Sequence, residues 1–380
     1  MTRRPIRARL VLAIAGFCLD SSVSAGAQEA APPTQSVLVA GYKKPSKWFR
    51  AESQHFIVLS DTDHAEVTAL LNNLEKLDYL LRIYTRDNYI ARGSEQKVTL
   101  HYHDHVGGFN EMVRAKPEEA IGLYNSCSAG VQGFGVRLDR VVSLGNEQLA
   151  LAPLSPTLTY LFEAYARHFL YRHTDIRTPA FYIDGFAQYL SSVRFSDNQV
   201  VLGRTPTAIA SYLDYVAEHR QRDRVSYDNL FDRNGWTPVS DKEAQGQRLS
   251  FLSKSWLLLH YALSSDANRA LLGKYLDLAQ RGVPANKAFE DSFGIPVVDL
   301  AKKMARYRSK DMETVEAELT SLPSAQVSFT ALPDSVTDFV LAEAALRSCP
   351  DRKTGESLLR AISQRAGGVP NNEFAKLTLS

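Results

Sequence analysis

The sequence predicts an α+β protein in which a small sheet-bearing part precedes a helical part. Three observations carry this expectation. Runs of β-branched and aromatic residues stand early in the chain, at His55–Leu59 (HFIVL) and Val98–His103 (VTLHYH). From Pro156 onward, apolar residues recur at a helical period in segments broken by Pro, Gly or Asn. A chain of 380 residues is also long enough to bury a large core and to form two packed subdomains.

The N-terminus reads as a targeting segment. Arg3, Arg4, Arg7 and Arg9 precede an apolar run from Leu10 to Leu19, and small residues follow, ending Ala25-Gly26-Ala27. That is the pattern of a secretory signal peptide over residues 1–27, with cleavage near Ala27 and a periplasmic or secreted mature chain. The run is too short to span a bilayer and no later stretch is long enough, so no transmembrane anchor is expected. Phe17 is bulky where a lipoprotein signal places a small residue before its cysteine, so Cys18 is not expected to carry lipid. Residues 28–47, rich in Ala, Pro, Gln and Ser, read as a linker.

Losing four arginines and Asp20 with the signal peptide takes the formal charge from +2 to −1. A near-neutral surface excludes the basic face that nucleic acid or an anionic membrane would need. Cys127 and Cys349 remain, and their spacing leaves open whether they pair.

The expected elements follow in order. Residues 48–153 read as an α/β sheet subdomain: strand 55–59, then a helix over 64–84 whose Leu70, Leu71, Leu74, Leu77, Leu80 and Leu81 form one stripe, then strand 98–103, then a strand or hairpin over 133–142. Residues 154–310 read as a helical subdomain with helices at 156–172, 179–193, 207–218, 248–264, 267–281 and 296–308. Residues 311–380 read as a tail with two amphipathic stretches, around 341–346 and 356–362, that suit a helical hairpin.

Two consecutive helices carry the motif. Leu158–Arg172 (LTYLFEAYARHFLYR) is followed by Pro179–Ser192 (PAFYIDGFAQYLSS). In the first, Tyr165, His168, Phe169 and Leu170 occupy positions of the pattern H-E-Y-x-H-H-F-L. In the second, Pro179, Phe181, Gly185, Ala187, Tyr189 and Leu190 occupy positions of P-x-W-x-x-E-G-x-A-E-Y-L. Weaker matches are Glu52–Phe56, Ser255-Trp256, Leu259–Tyr261, Gly282, Ala288-Phe289 and Phe293-Gly294. On these residues the segment 48–308 resembles the peptidase MA-like family of gluzincin zinc metallopeptidases. The resemblance implies a zincin-like fold, and in the family two histidines one helical turn apart and a glutamate from the next helix hold zinc, while a second glutamate polarises its water.

Carried over position by position, that chemistry is missing here. The first histidine falls on Glu163, the general base on Ala164, the second histidine on Arg167 and the third ligand on Asp184. A guanidinium stays protonated and has no lone pair to offer a metal, and alanine cannot accept a proton. Glu163 and Arg167 are spaced i, i+4 in the favourable order for a helical ion pair, and Asp184 arrives from the second helix. The expected arrangement is a guanidinium bridging both carboxylates at the zinc position.

The resemblance then implies an inactive metallopeptidase-like protein, with no cofactor, that binds a protein or peptide partner in the cleft. Strand addition along Gly133–Val142 is the expected mode. Two other readings stay open at this point. One is a metal-dependent hydrolase with zinc on an altered set, Glu163, His168 and Asp184; the other is a scaffold acting through its C-terminal helices. A separate metal set is His101, His103 and His105, because a strand projects alternate residues to one face.

Overall fold

The computed structural model describes residues 48–91, 97–103, 124–127, 130–176, 179–219, 225–232, 241–310, 312–319, 321–333, 337–347, 350–368 and 376. Residues 1–47, where the signal peptide and linker are expected, His105 and Cys349 lie outside them. Among the described residues the architecture is mixed α+β, with two small sheets and a majority of helix.

The larger sheet has six strands in the order β4-β5-β3-β2-β1-β9. β1 (Phe49–Glu52) and β2 (Phe56–Ser60) form an antiparallel hairpin, and β3 (Val98–His103) lies parallel to β2 with Leu59 opposite His101. β5 (Gly130–Val136) is parallel to β3 and antiparallel to β4 (Tyr124–Cys127). The parallel step from β2 to β3 is made by α1 (His64–Tyr84), as a parallel pair requires a crossover. Asp63 caps α1 by accepting from the Glu66 amide at 2.7 Å. All six leucines of its stripe are buried.

A short helix, α2 (Asn146–Leu149), leads to α3 (Pro156–His173). Ser155 accepts from the Leu158 amide at 3.1 Å, Pro156 takes the first helical turn, and Asp139 Oδ1 accepts from the Thr157 amide at 2.9 Å. α4 (Ala180–Ser191) starts after Pro179. The rest of the helical half comprises α5 (Thr207–His219), α6 (Tyr227–Phe231), α7 (Asp241–Leu263), α8 (Asp266–Gln280), α9 (Ala285–Phe293) and α10 (Leu300–Lys310). Between α4 and α5 stand β6 (Arg194–Phe195) and β7 (Gln199–Leu202), which pair antiparallel.

One position shows why α4 has its sequence. A Cβ on Gly185 would stand 2.5 Å from the Ser255 carbonyl oxygen and 3.3 Å from Leu259 Cβ. The α4 and α7 backbones cross at that point, and only glycine allows the approach. The Asp-Gly-Phe-Ala order thus has a packing cause at Gly185, independent of any chemistry at Asp184.

The structure departs from the sequence expectations in four places. The strand expected over 133–142 ends at Val136, and residues 137–141 instead run to the start of α3, where Thr157 Oγ1 accepts from the Leu138 amide at 2.9 Å. The helix expected over 296–308 opens as a 3-10 turn, Val297–Asp299, and is α-helical only from Leu300, while a helix that was not expected, Ala285–Phe293, precedes it and ends where Gly294 takes the left-handed φ of 65°. Residues 312–333 re-enter both sheets: β8 (Val315–Glu318) pairs with β7, and β9 (Ser328–Ala331) becomes the edge beside β1. Finally, β5 is an inner strand, because β4 covers Gly130–Gly133 on its outer side. Of the expected peptide-receiving segment Gly133–Val142, only Gly133–Val136 is therefore strand, and β4 pairs with it at Gly133.

Toward the C-terminal end of the described residues, α11 (Thr337–Arg347) and α12 (Arg352–Gly367) pack on each other through Phe339, Ala342 and Ile362. Val340 of α11 packs with Trp48 and Leu59 on one face of the larger sheet, while Phe56 and Val58 on the opposite face join the core of α1 and α3.

Candidate functional site

α3 presents two faces of different chemistry. Leu158, Leu161, Phe162, Tyr165 and Phe169 point into the core, whereas Tyr160, Glu163, Arg167 and Tyr171 follow one another at spacings of three and four on the outer side. α4 runs alongside and brings Asp184 to that outer side.

The Arg167 guanidinium joins the two carboxylates, one on its own helix and one on α4. Its Nη2 donates to Glu163 Oε1 at 2.8 Å and to Asp184 Oδ1 at 2.7 Å, and its Nε donates to Asp184 Oδ1 at 3.1 Å. The three side chains are between 18 and 27 % exposed. Burial works against the cation, but the Glu163 and Asp184 charges and hydrogen bonds outweigh it and raise the Arg167 pKa further. The group is a fixed cation at every pH at which the protein folds. Among the described residues, Nη1 has no hydrogen-bond partner, so its two N–H groups remain available on the outer side.

This arrangement does not fit a zinc ion. Among the described residues no three His, Cys, Asp or Glu side chains stand together as a ligand set. Between the two carboxylates that the helices bring together sits a cation, and Ala164 beside them offers no base.

The structure also separates His168 from Glu163 and Asp184. Its ring lies 6.0 Å from that of Tyr165 on the core side of α3. Burial, aided by the charges of His173 and Arg172, pushes its pKa down to about 3, so it is a neutral core histidine. Glu163, His168 and Asp184 therefore do not converge.

His101 and His103 lie on the sheet face that α11 covers. His101 stands opposite Leu59 in register, and His103 stacks on Trp48 with ring centroids 5.5 Å apart. His103 Nδ1 is 2.9 Å from Asp61 Oδ2, and both histidines are only 3 % exposed. His105 falls outside the described residues.

Beneath α3 lies a polar network that the sequence reading did not identify. Tyr165 donates to Asp78 Oδ1 at 2.7 Å, Arg82 Nε donates to Asp78 Oδ2 at 2.7 Å, and His55 Nδ1 is 2.6 Å from Glu75 Oε2. Glu75 Oε1 also accepts from Ser53 Oγ at 2.7 Å and from the His55 amide at 2.9 Å. Burial, together with the Asp78 charge and hydrogen bond, raises the Tyr165 phenol well above its ordinary value. The sequence held a signal for this network: Glu75 and Asp78 sit next to Leu74 and Leu77 on the buried stripe of α1, where unpaired acids are not tolerated.

The network positions the site. Tyr165 is two residues from Arg167, so anchoring its hydroxyl to α1 fixes how α3 is rotated and which residues face outward. His260 performs a similar tie in the helical half, with Nδ1 2.6 Å from Tyr307 Oη and Nε2 3.1 Å from the Gly203 carbonyl.

No known protein family matches this chain by its sequence profile, and no curated protein is significantly similar to it.

Proposed function

We propose that this chain is a secreted or periplasmic metallopeptidase-like protein that has no hydrolytic activity and binds a polypeptide or envelope partner on the outer side of α3 and α4. The zincin-like fold assignment and the export signal ending near Ala27 are part of this proposal. Its single supporting observation is the position of Arg167. The resemblance puts the second zinc ligand at that residue, and the guanidinium is hydrogen-bonded to both of the other positions that would hold the ion.

A cation fixed between two carboxylates does for the fold what a structural metal does, tying two helices together without offering Lewis acidity. The face it leaves suits a polypeptide. Arg167 Nη1 can donate to a main-chain carbonyl, and the carboxylates can accept from amides. Tyr160 and Tyr171, 42 and 44 % exposed, flank the triad along the helix with apolar rings. Nucleic acid does not suit a mature chain of formal charge −1.

The test uses the purified mature protein with fluorescent casein as a generic polypeptide probe. The expected result is substoichiometric zinc, no cleavage with or without chelator, and saturable casein binding that Arg167→Ala weakens. Stoichiometric zinc together with chelator-sensitive cleavage overturns the proposal.

A further inference from the structure

Arg194 opens β6 and is only 2 % exposed. Its guanidinium has five N–H groups and no acceptor. Nη1 donates to the carbonyl of the neighbouring Val193 at 2.7 Å, and among the described residues Nε and Nη2 have no partner. A buried cation left with unmatched donors is among the most costly groups a protein can hold, and it calls for a compensating anion.

The surrounding charges do not supply one. Arg204, half-buried just beyond β7, is a second cation, with Nη1 donating to the Ala152 carbonyl at 2.6 Å. Asp139 is the nearby acid, but its Oδ1 accepts from Ser155 Oγ at 3.0 Å and from the Thr157 amide at 2.9 Å, at the start of α3. It bonds to neither arginine. Burial and the charge of Arg204, with Asp139 opposing them, pull the Arg194 pKa down to about 10, the direction expected for a cation short of negative charge.

We infer that Arg194 and Arg204 form a binding site for a small anion, a halide or the oxygen atoms of a phosphate or carboxylate, beneath the segment 142–154. The two guanidinium groups come from the two ends of the β6–β7 hairpin, so one ion neutralises both and closes the hairpin on the start of α3. The segment 142–154 is tied to the hairpin through Asn146, which donates to Asn198 Oδ1 at 2.8 Å and accepts from Ser196 Oγ, and its flanks are more exposed. Leu149 is buried, but Val142 and Leu151 are 51 and 87 % exposed, and Arg204 itself holds Ala152. A shift of that segment admits an ion to the two unmatched nitrogens.

Thermal unfolding of the mature protein at constant ionic strength decides the matter. Sodium gluconate, whose anion is large, is replaced stepwise by chloride, inorganic phosphate or acetate. The expected result is a saturable rise in Tm of at least about 2 °C with one or more of the small anions, absent in Arg194→Met and weakened in Arg204→Met. If Arg194→Met does not fold, Arg204→Met at its half-buried position provides the comparison. An equal response to all anions in the wild type overturns the inference. So does a full wild-type response in either variant.

Discussion

Arg167 Nε and Nη2 both donate to one oxygen of Asp184, Oδ1, at 3.1 and 2.7 Å, so a single carboxylate atom on α4 fixes the plane of a guanidinium on α3. Glu163, one turn earlier on α3, takes the second bond of Nη2. The same three positions are where the resemblance to gluzincins places the metal ligands, and the two helices already bring them together.

That geometry makes reversal testable. The triple variant Glu163→His, Ala164→Glu, Arg167→His removes the cation and restores two imidazoles at i and i+4, with Asp184 as the third ligand. It is expected to bind about one zinc per chain by titration calorimetry, while the wild type binds none at this site. A folded triple variant with no zinc affinity would falsify the superposition of these helices on the metallopeptidase pair.

Gly185→Ala tests the α4–α7 crossing. The added methyl would meet the Ser255 backbone at 2.5 Å, so the helices must separate or tilt. Urea denaturation is expected to show a loss of about 1–3 kcal/mol. Gly145→Ala, where nothing lies within 4 Å of the added carbon, is the control and is expected to show little change.

The His55–Glu75 pair sets a pH dependence. Burial lowers the His55 pKa, but the Glu75 hydrogen bond and the Asp78 and Glu75 charges outweigh it, and the net shift is upward from 6.5. For Glu75, burial raises the pKa, and the bonds from His55 and Ser53 outweigh it and bring it below 4.5. The histidine's contribution is therefore complete below pH 6.5 and is lost as pH rises through its folded value. The glutamate's is complete above pH 4.5 and is lost as pH falls through its own. Stability against urea is expected to peak between these limits, and His55→Gln is expected to remove the decline on the alkaline side. A variant that keeps the wild-type profile above pH 6.5 would show that His55 is not its source.

Deleting residues 335–380 removes α11 and α12 but retains β9. Val340, fully buried, contributes about 1.5–3 kcal/mol by burial alone, and its loss uncovers Trp48, now 2 % exposed. The expected outcome is a red shift of tryptophan fluorescence and reduced stability. Casein binding by the folded truncated protein is expected to persist; its loss would transfer the binding function to the C-terminal helices.

The readable part of the site was local. Glu163 and Arg167 are one turn apart on one helix, so their contact follows from helical period alone, and Asp184 required only that the next helix turn back against the first. Tyr165 is two residues from Glu163 and from Arg167, and His168 one from Arg167, yet both belong to the core side, a distinction that the 100° rotation per residue makes legible once the apolar stripe is drawn.

What the sequence by itself determined is the periodicity: the leucine stripe of α1, the extent of α3 and α4, the outward direction of Arg167 and the α+β order. Tertiary structure decided what depends on segments far apart in the chain. It placed residues 315–318 and 328–331 as strands in two sheets, made β5 an inner strand, laid α11 over His101 and His103, and paired Tyr165 with Asp78 and His55 with Glu75. Short polar strands such as Val315–Glu318 have weak intrinsic preference and take their conformation from the partner that supplies their hydrogen bonds. The buried acids of α1 likewise become favourable only once donors from the β1–β2 turn and α3 are folded against them.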